Sequence, residues 1–156
     1  MNGNNIQGLV RAIAQAPGTD RVAPALDPTQ WAILGGYMQT MRLAAGQTLI
    51  HQGAADRTLY LVESGSLSVH YEDSKGRVRL AIVGPGSAVG EGAFFSSLPR
   101  NASVQVAAAA LLWTLPAIRF AELGKRHPAI ALELAMALGA LLAHRFANKP
   151  KRVAVT

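Results

Sequence analysis

The stretch Gly90-Glu91-Gly92-Ala93-Phe94-Phe95-Ser96-Ser97-Leu98-Pro99-Arg100-Asn101-Ala102 places one acid, one guanidinium and several backbone N–H groups around a turn and a short helix. Gly90 and Gly92 allow close backbone approach. Residues 91–97 are long enough for one or two helical turns, whose first N–H groups have no intrahelical acceptor and carry the positive end of the helix dipole. Such an end attracts phosphate. Arg100 follows at a distance that lets its planar fork close bidentately over the same anion. Glu91, acceptor-only when ionised, suits the hydroxyl donors of a ribose. This is the chemistry of a sugar-phosphate pocket, with Gly90, Glu91, Gly92, Ala93, Arg100, Asn101 and Ala102 as its candidate residues. The N–H groups of Gly92, Ala93 and Phe94 are expected ligands, and Phe94, Phe95 and Leu98 are expected to anchor the segment in a core.

Around this cassette, residues 41–115 read as short runs of β-branched and aromatic residues separated by turn signals. Candidate strands are 41–43, 48–51, 58–64, 66–72, 78–83, 87–89, 102–107 and 110–115, with turns at Ala45-Gly46, Gly53-Ala54, Ser64-Gly65, Asp73-Ser74-Lys75-Gly76 and Gly84-Pro85-Gly86. Strands this short need a closed or double-sheet arrangement to protect their edges. The flanks are helical. Residues 1–40 form a loosely attached helical segment: Ile6, Leu9, Val10 and Ile13 recur at helical spacing, Pro17-Gly18 breaks the pattern, and Asp27 caps a second helix that starts at Pro28. Pro116 starts a helix that Gly124 stops, and Pro128 opens an Ala/Leu helix to about residue 147. Ile130, Leu132, Leu134, Met136, Leu138, Leu141 and Leu142 cannot share one stripe, so this last helix needs cover on more than one side. A partner subunit and the chain's own N-terminal helices are the two covers to consider.

Composition excludes several classes. With no cysteine in 156 residues there is no disulfide, thiolate metal site or cysteine nucleophile. His51 reads as structural, and His70, His127 and His144 lack metal-ligand spacing. No nucleophile elbow, P-loop or paired-carboxylate motif is present, so no enzymatic activity and no metal or cofactor is expected. Residues 1–15 do not read as a signal peptide, and the apolar run 129–143, interrupted by Glu133, is too short for a membrane span. The expectation is a cytoplasmic protein. The formal charge of +6 is mostly dispersed, with clusters only at Lys125-Arg126 and in the set Arg145, Lys149, Lys151 and Arg152, where residues 148–156 form a basic tail.

These features resemble the cyclic nucleotide-binding domain family, of the cyclic AMP receptor protein and protein kinase A regulatory-subunit type. The resemblance runs from about 41 to 144 and is carried by Leu49-Ile50-His51-Gln52-Gly53, Thr58-Leu59-Tyr60-Leu61-Val62, Gly65-Ser66-Leu67, Gly84-Pro85-Gly86, Gly90-Glu91 and Pro99-Arg100-Asn101-Ala102. It implies a mainly β fold with flanking α-helices, a β-jelly roll (double-stranded β-helix), in a domain spanning 41–147. It further implies that Glu91 binds the ribose 2′-hydroxyl and Arg100 the cyclic phosphate, while Arg145 or Phe146, at the end of the last helix, lids the purine. Asn101 departs from the Ala, Ser or Thr usual after the arginine; it can serve adenine or guanine, and cyclic AMP is favoured over cyclic GMP because the wider family binds it. The implied protein is a stand-alone regulatory module that reports occupancy to an unidentified protein partner through its C-terminal helix, with a homodimer through that helix. Relatives that bind DNA follow the helix with a helix-turn-helix domain; only 149–156 follow here, so specific DNA binding is not expected. The alternatives are a scaffold that lost its ligand, a sensor of another nucleotide such as a cyclic dinucleotide, and a truncated transcription regulator.

Overall fold

A computed structural model describes residues 5–148 of the chain; the basic residues Lys149, Lys151 and Arg152 lie outside them. Helices α1 (Gln7–Gln15) and α2 (Pro28–Gly35) lead. Strands β1 (Gln39–Leu43), β2 (Thr48–Ile50), β3 (Thr58–Asp73), β4 (Gly76–Val83), β5 (Ala88–Val89) and β6 (Ser103–Pro116) follow, with the short helix α3 (Glu91–Ser96) before β6. Helices α4 (Ala117–Arg126) and α5 (Pro128–Ala147) end the described chain. All strand pairings are antiparallel, and β3 and β6 form the spine, paired from Thr58 opposite Pro116 to His70 opposite Ser103. β1 and β2 pair with β6, and β4 and β5 pair with β3. The result is the mainly β roll with flanking helices that the cassette and its surroundings predict.

The strands are fewer and longer than expected, because Ser64-Gly65 and the stretch between residues 107 and 110 do not break them. Gly65 has φ of +86°, and a Cβ there would lie 2.6 Å from the Cα of Ala110 on β6. Only glycine lets the neighbouring backbone pass so closely. Register shifts around Ser64 and Ser66 mark bulges, which bend and twist a strand without ending its pairing. Two continuous curved strands therefore do the work assigned to several short ones.

Side chains alternate across β3, as strand geometry requires. Leu59 and Leu61 face the helices, while Tyr60 and Val62 face the roll interior. The interior core contains Ile50, Val62, Leu67, Val69, Val83, Val89, Val104, Val106 and Leu112. The second core joins Leu59, Leu61, Trp113 and Leu115 to Leu9 and Ile13 of α1, Trp31 and Leu34 of α2, and Ile130, Leu134, Leu138 and Leu141 of α5.

That second core corrects the expectation of a loosely attached N-terminal segment. Ile6, Leu9 and Ile13 form one buried helical face. Trp113 Nε1 donates to Glu63 Oε1 at 2.8 Å, and the Glu63 carboxylate packs where Gly8 leaves no side chain in its way. α2 begins as expected: Asp27 accepts from the Gln30 N–H at 2.8 Å while the Gln30 side chain accepts from the Asp27 N–H at 3.0 Å, a reciprocal capping box with Pro28 just inside.

α4 does not stop at Gly124. It continues to Arg126, and the bare Cα of Gly124 faces Ala131 of α5, with a Cβ there 3.9 Å from that of Ala131. The glycine serves helix packing, and His127-Pro128 ends the helix. α5 has 20 residues, and by length and hydropathy alone it could cross a membrane; the expectation from the shorter apolar run was otherwise. Here its Ile130, Leu134, Leu138 and Leu141 face is buried in the chain's own core, while Leu132 and Met136 on another face are 61% and 65% exposed.

Candidate functional site

The cassette starts where β5 leaves the sheet. Gly90 adopts φ of +88° and starts α3, and a Cβ at this position would lie 2.7 Å from both Arg100 Nη1 and the Thr58 carbonyl oxygen. The glycine is thus required twice, by its backbone conformation and by the side chain packed beneath it. Ser97, at φ of +64°, ends α3 and turns the chain toward Pro99 and Arg100.

α3 has six residues and no side-chain cap. Its first N–H groups accordingly lack intrahelical acceptors, which leaves Gly92 and Ala93 as expected. Phe94 is different: its N–H donates to the Gly90 carbonyl at 3.0 Å and is spent within the helix. Phe94 does anchor the segment, edge-on to Phe120 with ring centroids 5.3 Å apart. Phe95 and Leu98 do not, being 42% and 65% exposed. So short a helix buries one face, which Ala93 and Phe94 fill.

The guanidinium of Arg100 is fully buried. Its Nε and Nη2 donate to the two carboxylate oxygens of Asp56 at 3.2 and 2.5 Å, Nη2 also donates to the Thr58 carbonyl at 2.7 Å, and Nη1 donates to the Gly90 carbonyl at 3.0 Å. The main chain is clasped as well: the Arg100 N–H donates to the Ala54 carbonyl and its carbonyl accepts from the Gly53 N–H. This corrects one detail of the sequence reading. The bidentate edge of the fork is taken by Asp56, and of the five N–H donors of a guanidinium one hydrogen, on Nη1, stays outside these four bonds. Asp56 was missed because it lies 44 positions before Arg100, outside any local motif. The Arg100 hydrogen bond holds its carboxyl below the ordinary aspartate value, against the opposing effect of burial.

Glu91 is also fully buried, and its partner comes from the far end of the chain. Arg145 Nη1 donates to Glu91 Oε2 at 2.7 Å, Nη2 to Ser87 Oγ and to the Ala88 carbonyl at 2.9 Å each, and Nε to Asp20 Oδ1 at 2.8 Å. Burial alone would favour a neutral Arg145, but the charges of Glu91 and Asp20 outweigh it and hold the guanidinium above its ordinary value. Arg145, expected as a purine lid, is 3% exposed and committed to these four bonds, so its planar face is not offered for stacking. Phe146 is 71% exposed beside it. Asn101 is exposed at the rim, and Ala102 is buried in the roll interior. Gly90 therefore stands between the two charged residues: its carbonyl accepts from Arg100, and its neighbour Glu91 accepts from Arg145. Among the described residues no group of three or more His, Asp or Glu is placed to hold a metal ion.

Comparison with known proteins follows this geometry. Residues 40–127 match the family described as "Cyclic nucleotide-binding domain". The chain is 33% identical to Glutaminase 2 of Bradyrhizobium diazoefficiens over 82% of its own length and 20% of that protein. It is 31% identical to the cAMP-dependent protein kinase regulatory subunit of Blastocladiella emersonii over 65% of its length and 26% of that protein. Both relatives are thus several times longer than the part they share with it. Among solved structures, a cyclic nucleotide-binding domain from Methylobacillus flagellatus superposes with a TM-score of 0.83 over 95% of this chain and 82% of that one; at 20% identity the likeness is one of fold. With the family match covering more than half the chain, and Gly90, Glu91 and Arg100 at the turn where the sequence placed them, the chain belongs to the cyclic nucleotide-binding domain family.

Proposed function

We propose that this chain is a regulatory module that binds a 3′,5′-cyclic nucleotide, with cyclic AMP preferred to cyclic GMP. The observation that carries the reading is the pairing around Gly90: a carboxylate and a guanidinium, both buried, on either side of a turn whose following N–H groups, Gly92 and Ala93, have no intrahelical acceptor and no side-chain cap. The remaining Nη1 hydrogen of Arg100 and these two amides take the phosphate, with Asp56 fixing the plane of the fork. Glu91 takes the ribose hydroxyl. The preference for cyclic AMP is supported by the cAMP-dependent relatives, and Asn101 at the rim is the residue open to the base. No catalytic role is assigned. The compartment this implies is the cytoplasm.

Occupancy is passed on through α5, which shares a core with α1 and α2 and reaches the cassette through its last turn. A ligand shifts such an element only by binding one of its positions better. The exposed stripe Leu132, Met136, Gly139 and Ala143 has the three-four spacing of a helix-pair seam, which supports a homodimer through α5.

Calorimetric titration of cyclic AMP into the wild type and Arg100→Lys tests the reading. Lysine keeps the charge and loses the fork, so affinity falls about tenfold or more. Equal affinity in the two proteins excludes this cassette as the site. One observation favours a second reading: Arg100 and Glu91 each already have a partner within the chain, as they would in a scaffold that no longer takes a ligand. Under that reading the wild type binds neither cyclic AMP nor cyclic GMP.

A further inference from the structure

Between α1 and the roll lies an open cavity of about 440 Å3 that the function proposed above does not use. α1 lines it with Gly8, Arg11 and Gln15, at the three- and four-residue spacing of one helix face. Glu63 and Ser64 enter from the bulge in β3, and Pro85 from the turn before β5. We propose that this cavity is a second ligand site, for a small zwitterion of the α-amino acid type with an aliphatic side chain: Arg11 takes its carboxylate and Glu63 its ammonium. The inference goes beyond the cyclic nucleotide cassette and does not rest on it.

Two opposite charges share this cavity without pairing. Among the described residues neither Arg11 nor Glu63 takes part in an ion pair. Glu63 Oε1 is committed at 2.8 Å to the indole N–H of Trp113, which is 1% exposed. That bond fixes the carboxylate and leaves Oε2 beside Gly8, where both residues line the cavity. An ionised carboxylate has about four acceptor directions, so Oε2 accepts from an ammonium while Oε1 keeps the indole. Arg11 is exposed at the rim, and its planar fork matches a carboxylate bidentately. A lone anion at Arg11 also meets the Glu63 carboxylate, and a lone amine at Glu63 also meets the guanidinium. A zwitterion satisfies both, and the pair of charges selects against either simpler ligand.

The walls are fixed to one another before any ligand arrives. α1 lies so close to Gly86 that a Cβ there would be 2.8 Å from the Ala16 Cβ and 2.9 Å from the Ala12 carbonyl oxygen. The Gly86 N–H donates to the Val62 carbonyl, next to Glu63, and its carbonyl accepts from the Val22 N–H, each at 2.8 Å. The volume falls within the range of about 300–1,000 Å3 usual for small-molecule sites. Ala12, Ala16, Pro17 and Pro85 supply the apolar surface for an aliphatic side chain.

The test titrates the full chain with L-leucine, with isocaproate, which lacks the ammonium, and with isoamylamine, which lacks the carboxylate. Amide proton–nitrogen NMR spectra follow binding to the wild type, Arg11→Met and Glu63→Gln. Glutamine keeps an acceptor for Trp113 and removes the charge. In the wild type L-leucine saturates one site below about 10 mM and shifts the Gly8, Gln15 and Ser64 amides. It binds about tenfold or more tightly than either analogue, the range for a hydrogen bond to a charged group. Arg11→Met erases the preference over isoamylamine and keeps that over isocaproate, and Glu63→Gln does the reverse. General damage does not produce such a crossed pattern. Absence of saturable binding of L-leucine, L-valine and L-methionine to the wild type overturns the inference, as do preferences that are the same in all three proteins. Isocaproate bound as tightly as L-leucine marks a plain anion site and also overturns it. L-Leucine binding lost in Arg100→Lys does so too, because the amino acid then occupies the cassette. Should Glu63→Gln fail to fold, a preference over isoamylamine that survives in Arg11→Met is equally fatal. A chain that binds L-leucine in this pattern and no cyclic nucleotide upholds the inference and overturns the proposed function alone.

Discussion

Asp56→Asn is the substitution with the most closely defined consequence. The native carboxylate accepts Arg100 Nε at 3.2 Å and Nη2 at 2.5 Å, and the Thr58 N–H at 3.2 Å. An asparagine has one acceptor oxygen and no charge. Hydrogen bonds to charged groups contribute about 1.5–3 kcal/mol, while exposed ion pairs contribute about 0.2–1 kcal/mol. The guanidinium is fully buried but the Asp56 side chain is 46% exposed, so solvent screens part of the pair. With one contact kept by the amide, the loss is about 1–2 kcal/mol. Arg100 keeps the Gly90 and Thr58 carbonyls and stays in place. The effect depends on pH in a definite direction. The Arg100 hydrogen bond depresses the folded-state value of the Asp56 carboxyl. Its stabilisation is therefore complete above the unfolded value of about 3.9 and is lost as pH falls through the folded value. Urea unfolding of both proteins at pH 7 shows the gap, and the gap narrows at pH 3. Equal stability at pH 7, or a gap of the same size at both pH values, refutes the reasoning.

Gly90→Ala forces a side chain into a left-handed conformation and against Arg100 Nη1 and the Thr58 carbonyl, 2.7 Å away. The backbone cost alone is about 1–2 kcal/mol, so thermal melting shows a loss of at least about 2 kcal/mol together with weakened nucleotide binding. Leu132→Glu with Met136→Glu changes two exposed positions on α5, so the protomer's own stability moves by less than about 0.5 kcal/mol. Light scattering after size exclusion shows a wild-type dimer and a variant whose association is weaker by more than about a hundredfold, from about 1.5–3 kcal/mol for each large apolar side chain taken out of the seam.

Where a feature depends on neighbouring residues, reading the chain in order was enough. Asp27-Pro28 opens α2 because an N-cap acts within the first helical turn, and Gly90-Glu91 opens α3 because one positive-φ glycine sets the turn. Gly65 misled for the same reason: its left-handed φ marks a bulge as readily as a turn, and only the β6 backbone lying against it distinguishes them. The partners of the two charged site residues had no local sign. Asp56 reaches Arg100 because the 53–58 segment wraps the loop before β6, and Arg145 reaches Glu91 because α5 packs back along the core toward β5. The N-terminal helices read as loosely attached because Trp113 and Glu63, which receive α1, lie far along the chain.

The most direct test of the account is a titration of cyclic AMP followed by amide proton–nitrogen NMR spectra. Binding within the cassette shifts the Gly92 and Ala93 amides strongly, saturates at one nucleotide per chain, and leaves them unmoved by adenosine, which has no phosphate. Saturable binding that shifts other amides while those of Gly92 and Ala93 stay in place contradicts it.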